Sequence, residues 1–282
     1  MPAGDGETEA AEHGPGSAGD AIDGATDNLA RENRILARRL NRMEANVRRM
    51  ESFQDSNSTL LTRLLNDLDA ERERSQQLLL NVLPPRIIER LNAGEARIAD
   101  RHEDATVLFS DFVGFTSISA ALAPSVLIEE LNALFRAFDA LCDVNGVEKI
   151  KTVGDAYLAV GGLTGAGLDG AIAIADTALG MLDAVERGTG GAADWRIRIG
   201  INNGPIVAGI VGSSKFAYDV WGDTVNVDSR LESTSEPGRI QCSAELAERL
   251  TDRFTFEPRG AIDLKGKGAA ETCFLMGRRG SG

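Results

Sequence analysis

The stretch at 147–162, VEKIKTVGDAYLAVGG, decides how this chain folds. Two apolar, β-branched runs meet at Gly154-Asp155, and a Gly/Asp pair between such runs predicts a tight hairpin turn. The tip of the hairpin carries a carboxylate, Asp155, and the strand leading to it carries Lys151 four residues earlier. On the N-terminal side, ATVLFSD (105–111) reads as a buried strand and 124–143 as an amphipathic helix. On the C-terminal side the order is a helix over 168–187, strands at WRIRIGINNG (195–204) and PIVAGIVG (205–212), and helices at about 223–233 and 243–250. Closing strands lie at AIDLKGKG (261–268) and ETCFLM (271–276). Helices spaced among hairpin-connected strands predict an α+β sandwich, with helices on one face of a largely antiparallel sheet.

The N-terminal third has a different pattern. Residues 1–30 hold seven acidic side chains, no lysine or arginine, and many small residues. Such a segment buries too little surface to order itself, so 1–28 reads as a disordered acidic tail. From Leu29 to Val82 there is no proline or glycine, and apolar residues repeat by sevens. Leu40, Val47, Leu61, Leu68 and Val82 take a positions, with Leu29, Leu36, Met43, Met50, Leu64 and Leu78 at d. This predicts a parallel, dimeric coiled coil over 29–83. Asn33, Gln54, Asn57, Glu71 and Ser75 interrupt the seam, and polar seam residues trade stability for register. The rod is either a plain dimerisation element or a signalling helix whose weak last heptads shift register, taking input from an upstream sensor or regulatory partner. Pro84-Pro85 ends it, and a short helix and linker occupy 84–100, ahead of a domain at 101–282.

Composition excludes several functions. A net charge of −13 without a local basic cluster argues against nucleic-acid binding. No run approaches 18 apolar residues and no basic-then-apolar leader is present, so the expectation is a soluble, cytoplasmic chain. Cys142, Cys242 and Cys273 are widely spaced, which fits reduced thiols, and two histidines are too few for a His-rich metal site.

Two acids stand out by position. In LFSDFVGFT (108–116), Asp111 ends the buried strand just before Gly114, while Asp155 sits on the hairpin tip. Alone, each is more often a helix cap or a turn residue. Brought together at rigid strand ends, they would hold Mg²⁺ against substrate phosphates, with the amides from Phe112 to Phe115 cradling those phosphates. Asn226 and Arg230, at i and i+4, share a helix face.

These residues, with LLLNVLPPRIIERL (78–91) and FAYDVWGDTVNVDSRLEST (216–234), carry a resemblance over about 78–277 to the class III nucleotidyl cyclases, the adenylyl and guanylyl cyclases. The resemblance implies a ferredoxin-like βαββαβ core with extensions, dimerising head to tail with both active sites at the interface. It implies that Asp111 and Asp155 bind two divalent cations, Mg²⁺ or Mn²⁺, with the Phe112 backbone reaching one of them. Lys151 and Asp219 fall where the purine is read, and Asn226 and Arg230 where the ribose is oriented and the pentavalent phosphate stabilised. Lys265, with Lys267 as its alternative, falls where the terminal phosphates bind; Gly114 and Phe115 belong to the phosphate loop. A lysine and a carboxylate match the acceptor N1 and donor N6 of adenine, whereas guanine presents the reverse pattern, so ATP is the expected substrate. The rival expectations are a guanylate cyclase and a catalytically silent cyclase-like dimerisation or sensor module.

Overall fold

The computed structural model describes residues 18–80, 82–165, 167–188, 191, 193–212, 216–264 and 266–280, without the side chains of 18–25 and 27. The chain divides into two compact units, Met1–Leu78 and Leu79–Gly282. Helix α1, Ala18–Leu80, is unbroken over 63 residues. It therefore begins inside the stretch expected to be a disordered tail. Residues 1–17 lie outside the described residues. The apolar seam is uncovered within the chain; Met43 and Met50 are each 65% exposed. Among the described residues no helix is long and apolar enough to cross a membrane.

The second unit is built on one sheet. Its strands are β1 (Ala99–Phe112), β2 (Glu148–Val153), β3 (Ala156–Gly161), β4 (Ile197–Val211), β5 (Ala217–Trp221), β6 (Ile240–Ser243), β7 (Phe254–Leu264) and β8 (Gly268–Arg278). They lie in the order β2-β3-β1-β4-β6-β8-β7, and β5 pairs with β4. The first four form the expected βαββαβ core, antiparallel throughout. Among the described residues the one parallel pairing joins β4 to β6. The quoted hairpin is β2 and β3, closed by Val153 opposite Ala156, with Gly154 at φ +63°. A side chain rarely tolerates that φ, which is why glycine stands there.

Two expected strands, 195–204 and 205–212, are the single strand β4. Pro205 interrupts the text but not the strand, because it lies opposite the bulge between His102 and Ala105 on β1, where its missing N–H costs no ladder bond. Strand β7 likewise starts earlier than expected, with Pro258 and Gly260 at a register shift.

The helices are α2 (Pro85–Asn92), α3 (Phe115–Ala121), α4 (Pro124–Asn145), α5 (Gly167–Arg187), α6 (Asp223–Thr234) and α7 (Ala244–Leu250). They cover both faces, not one. Leu108, Tyr157, Ile199 and Ile201 meet Phe138, Ile174 and Leu246 of α4, α5 and α7 in the larger core. The alternate residues Val107, Leu158 and Val160 meet Ile87 and Ile88 of α2, with Val225 of α6 packed against them. Helix α6 can lie flat on the sheet because of Gly200, whose Cβ would come within 2.4 Å of the Glu232 nitrogen.

Asp228, on the sheet-facing side of α6, is fully buried, and among the described residues neither carboxylate oxygen has a partner in good hydrogen-bond geometry. Burial drives its pKa well up, the Glu232 carboxylate adds to this, and the Phe109 backbone offsets only part. The folded state thus holds the proton more tightly than the unfolded state. Its penalty is absent below the unfolded pKa of about 4 and grows as pH rises towards the folded value. Asp228→Ala should stabilise the protein by about 1–3 kcal/mol at pH 8, with the gain shrinking towards pH 4. Thermal unfolding of both proteins across that range checks it; a pH-independent gap, or a loss at pH 8, contradicts the account.

Candidate active site

The antiparallel register places Asp111, next to last on β1, directly across from Arg198 on β4. Arg198 Nη2 donates to Asp111 Oδ2 at 3.1 Å and lies 3.2 Å from Glu232 Oε1, an ion pair off hydrogen-bond geometry. Asp155, on the β2–β3 turn, arrives beside the same strand end. Its carboxyl is held above the ordinary range first by burial and then by the neighbouring Asp111 carboxylate, with Arg198 opposing. Burial pushes Glu232 up to about 7, Arg198 opposing and the two aspartates adding.

Two carboxylates this close, one of them held above its ordinary range by the other, suit a divalent cation. Among the described residues no group of three or more His, Cys, Asp or Glu could hold a metal. Such a cation would draw its remaining ligands from backbone, phosphate and water, which is how Mg²⁺ binds. Phe112 offers only its backbone, since its ring is buried 5.0 Å from that of Trp195. In the following loop the Val113 N–H already donates to the Arg196 carbonyl at 2.8 Å and is not available to a phosphate. Gly114 adopts a left-handed φ of +71° and Phe115 opens α3, its ring packed against the larger core.

The second constellation is an ion pair between strands that do not pair with each other. Lys151 Nζ on β2 donates to Asp219 Oδ2 on β5 at 2.5 Å, while Asp219 Oδ1 accepts the Val220 N–H at 2.9 Å. Lys151 and Asp155 are four residues apart along an extended hairpin arm, a span of up to about 13 Å.

The third lies on α6 and near the β7–β8 turn. Asn226 is exposed; Arg230, one turn on, has a buried Nη1 without a partner among the described residues. A buried guanidinium nitrogen left unpaired is a donor waiting for an acceptor. Lys267 donates to Asp223 in the first turn of α6. Lys265 lies outside the described residues.

The sequence reading did not single out Arg198 or Glu232. The alternation in RIRIG marks Arg198 as facing away from Ile197 and Ile199, but that it faces Asp111 follows only from the register of β1 on β4.

Residues 98–277 match the family profile described as the adenylate and guanylate cyclase catalytic domain. The chain is 46% identical over 218 residues to an adenylate cyclase of Mycobacterium bovis, covering 75% of this chain and 48% of that one. It is 38% identical over 252 residues to retinal guanylyl cyclase 1 of Bos taurus, covering 86% and 22%. It thus spans about half the length of the mycobacterial relative or less than a quarter of the bovine one. Among solved structures, the guanylate cyclase domain of RhGC from Catenaria anguillulae, in complex with GTP, superposes with a TM-score of 0.61 at 35% identity, over 64% of this chain and all of that one. A sheet of cyclase topology, a paired-carboxylate strand end and these matches together place the chain among the class III adenylyl and guanylyl cyclases.

Proposed function

We propose that the chain is an adenylate cyclase, converting ATP to 3′,5′-cyclic AMP and pyrophosphate by in-line attack of the ribose 3′-hydroxyl on the α-phosphate, at sites shared between two copies. The observation that carries the choice of base is the Lys151–Asp219 pair, which presents an ammonium and a carboxylate side by side at 2.5 Å. An adenine edge takes a hydrogen bond from the first at N1 and gives one to the second from N6. Guanine mismatches both, and unpaired polar groups make rejection strong.

Asp111 and Asp155 hold the metals, with the Phe112 backbone as a further ligand. Two divalent cations, when bound, stabilise the developing alkoxide and the pyrophosphate leaving group. Asn226 orients the ribose. Arg230 directs its unpaired buried nitrogen to the pentavalent phosphate, where one donor is worth about 3–4 kcal/mol. Gly114 and Phe115 border the phosphates, and Lys265 binds the terminal ones; Lys267, engaged by Asp223, is the less suited of the two. The domain at 101–282 performs the chemistry, 84–100 links it to the helix, and the exposed seam of 29–83 pairs with a second copy as a parallel coiled coil.

Three measurements test the reading. Asp111→Ala and Asp155→Ala should remain folded and dimeric while losing turnover by at least about 10³-fold; near-normal rates across a Mn²⁺ titration would remove the metal assignment. Turnover of ATP and GTP side by side tests the base. Lys151→Glu combined with Asp219→Cys should lose ATP turnover and gain some with GTP, and an unchanged ratio refutes the pair's role.

The shared site has its own test. With Asp111 and Asp155 drawn from one subunit and Lys151, Asp219, Asn226 and Arg230 from the other, an Asp111→Ala/Arg230→Ala heterodimer gathers both lesions in one site and leaves the other intact. Co-expression of the two inactive chains should return about a quarter of wild-type activity, since half the dimers are mixed and each has one good site. Verified heterodimers as inactive as their parents would exclude the shared architecture.

A further inference from the structure

Helix α2 is tied to two strands at once. Arg86, in its first turn, donates from Nη2 to Glu148 Oε1 on β2 at 3.0 Å and to the Tyr218 hydroxyl on β5 at 2.5 Å. Its guanidinium carbon lies 5.7 Å from the Tyr218 ring centroid. Tyr218 is buried, and the Arg86 and Glu148 side chains are only 27% and 20% exposed, so this charge-assisted contact is partly shielded from water. The guanidinium rides on a rigid support, because Ile87 and Ile88 are packed in the same cluster as Tyr218 and Val220.

The neighbours of these residues give the contact its meaning. Tyr218 directly precedes Asp219, and Glu148 shares β2 with Lys151. Residues three apart on a regular strand point to opposite faces. Here a register shift between Lys149 and Lys151 sets Glu148 opposite Val160 and Lys151 opposite Leu158, both residues of the α2 face. Glu148 and Lys151 therefore project to the same side, towards β5. Among the described residues strand β2 is the sheet edge, β5 pairs with β4 alone, and β2 and β5 are not paired with each other. Two polar ties span the gap: Lys151–Asp219 directly, and Glu148–Arg86–Tyr218 through α2. A purine entering between Lys151 and Asp219 exchanges the first tie for hydrogen bonds to the base. The second tie then remains as the polar link between the two strands, in addition to the sheet and the packing of Ile150 in the cluster of Tyr218 and Val220.

We propose that Arg86 is a positioning residue for base selection, its clamp on Glu148 and Tyr218 setting the separation of β2 and β5 and hence the spacing of Lys151 and Asp219. This rests on the reading of Lys151 and Asp219 as the pair that meets the purine. A cleft of about 600 Å³ bounded by Pro84, Pro85, Glu148, Lys151 and Tyr218 brings the two residues that Arg86 holds to the same wall as Lys151.

The test compares Arg86→Ala, Arg86→Lys and Tyr218→Phe in the full chain, by kcat and KM for ATP and for GTP and by the Mn²⁺ midpoint. Where GTP turnover is too slow to follow, its inhibition constant against ATP replaces its KM. Arg86→Ala and Tyr218→Phe should each reduce the ATP-over-GTP ratio of kcat/KM by about tenfold. Most of the loss should appear as a higher KM for ATP, with an unchanged Mn²⁺ midpoint, and Arg86→Lys should recover part of it. A folded Tyr218→Phe protein with an unchanged ratio overturns the proposal, as does an Arg86→Ala protein that loses kcat equally on both nucleotides. Should Arg86→Ala not fold, Tyr218→Phe alone decides. The Lys151→Glu, Asp219→Cys protein separates the two readings. If it changes base choice and the clamp variants do not, the clamp alone fails; if it leaves base choice unmoved, the purine reading fails and the clamp with it.

Discussion

Strand β1 is buried from Ala105 to Leu108 and paired on both edges, with β3 on one side and β4 on the other. A slip of one residue in either pairing would turn Leu108 out of the larger core and Val107 into it. Burial on both faces therefore locks the register, and the register locks the site. Asp111 lies opposite Arg198 because Leu108 lies opposite Ile201, three positions earlier in the same ladder. The β2–β3 turn comes to the same strand end because β3 is held against β1 from Thr106 to Ser110. The geometry of the paired-carboxylate strand end is thus a by-product of apolar packing some ten ångströms away.

The charges gathered at that strand end are costly without a counter-ion. Burial pushes Asp155, Glu232 and Asp228 towards their protonated forms, and a neighbouring carboxylate adds to each: Asp111 on Asp155, Asp111 and Asp155 on Glu232, and Glu232 on Asp228. Arg198 supplies one positive charge among them, touching Asp111 and Glu232 from a neighbouring strand. Such a cluster spends folding stability on a local field that favours cations, which is a common feature of sites where phosphate chemistry is performed. The arginine on α6 shows the same trade in the opposite sign, with a buried guanidinium nitrogen left unpaired.

Much of this was legible beforehand, and for identifiable reasons. The hairpin at Gly154-Asp155 was readable because turn chemistry is local. The long helices α4 and α5 were readable because their apolar period runs over twenty residues. Strands β5 and β6 escaped notice because five and four residues carry too little periodicity to register. Pro205 divided one strand into two expected ones because a proline's effect depends on whether its missing N–H faces a partner. That, in turn, depends on a bulge in another strand. The helices were expected on one face because nothing in the text of α2 or α6 says which side of the sheet they cover.

The sequence by itself determined the family, the residue types of the site and their order along the chain, because motifs such as LFSDFVGFT and NVDSR are contiguous and their chemistry is carried by identity. Only the tertiary structure decided which of these residues meet. Asp111 with Arg198 is a contact across 87 residues, Lys151 with Asp219 across 68, and Arg86 with Tyr218 across 132. Contacts of that range are set by strand register and by the packing of α2 and α6 on the sheet. Those are collective results of burying the whole core, and no short window of sequence encodes them.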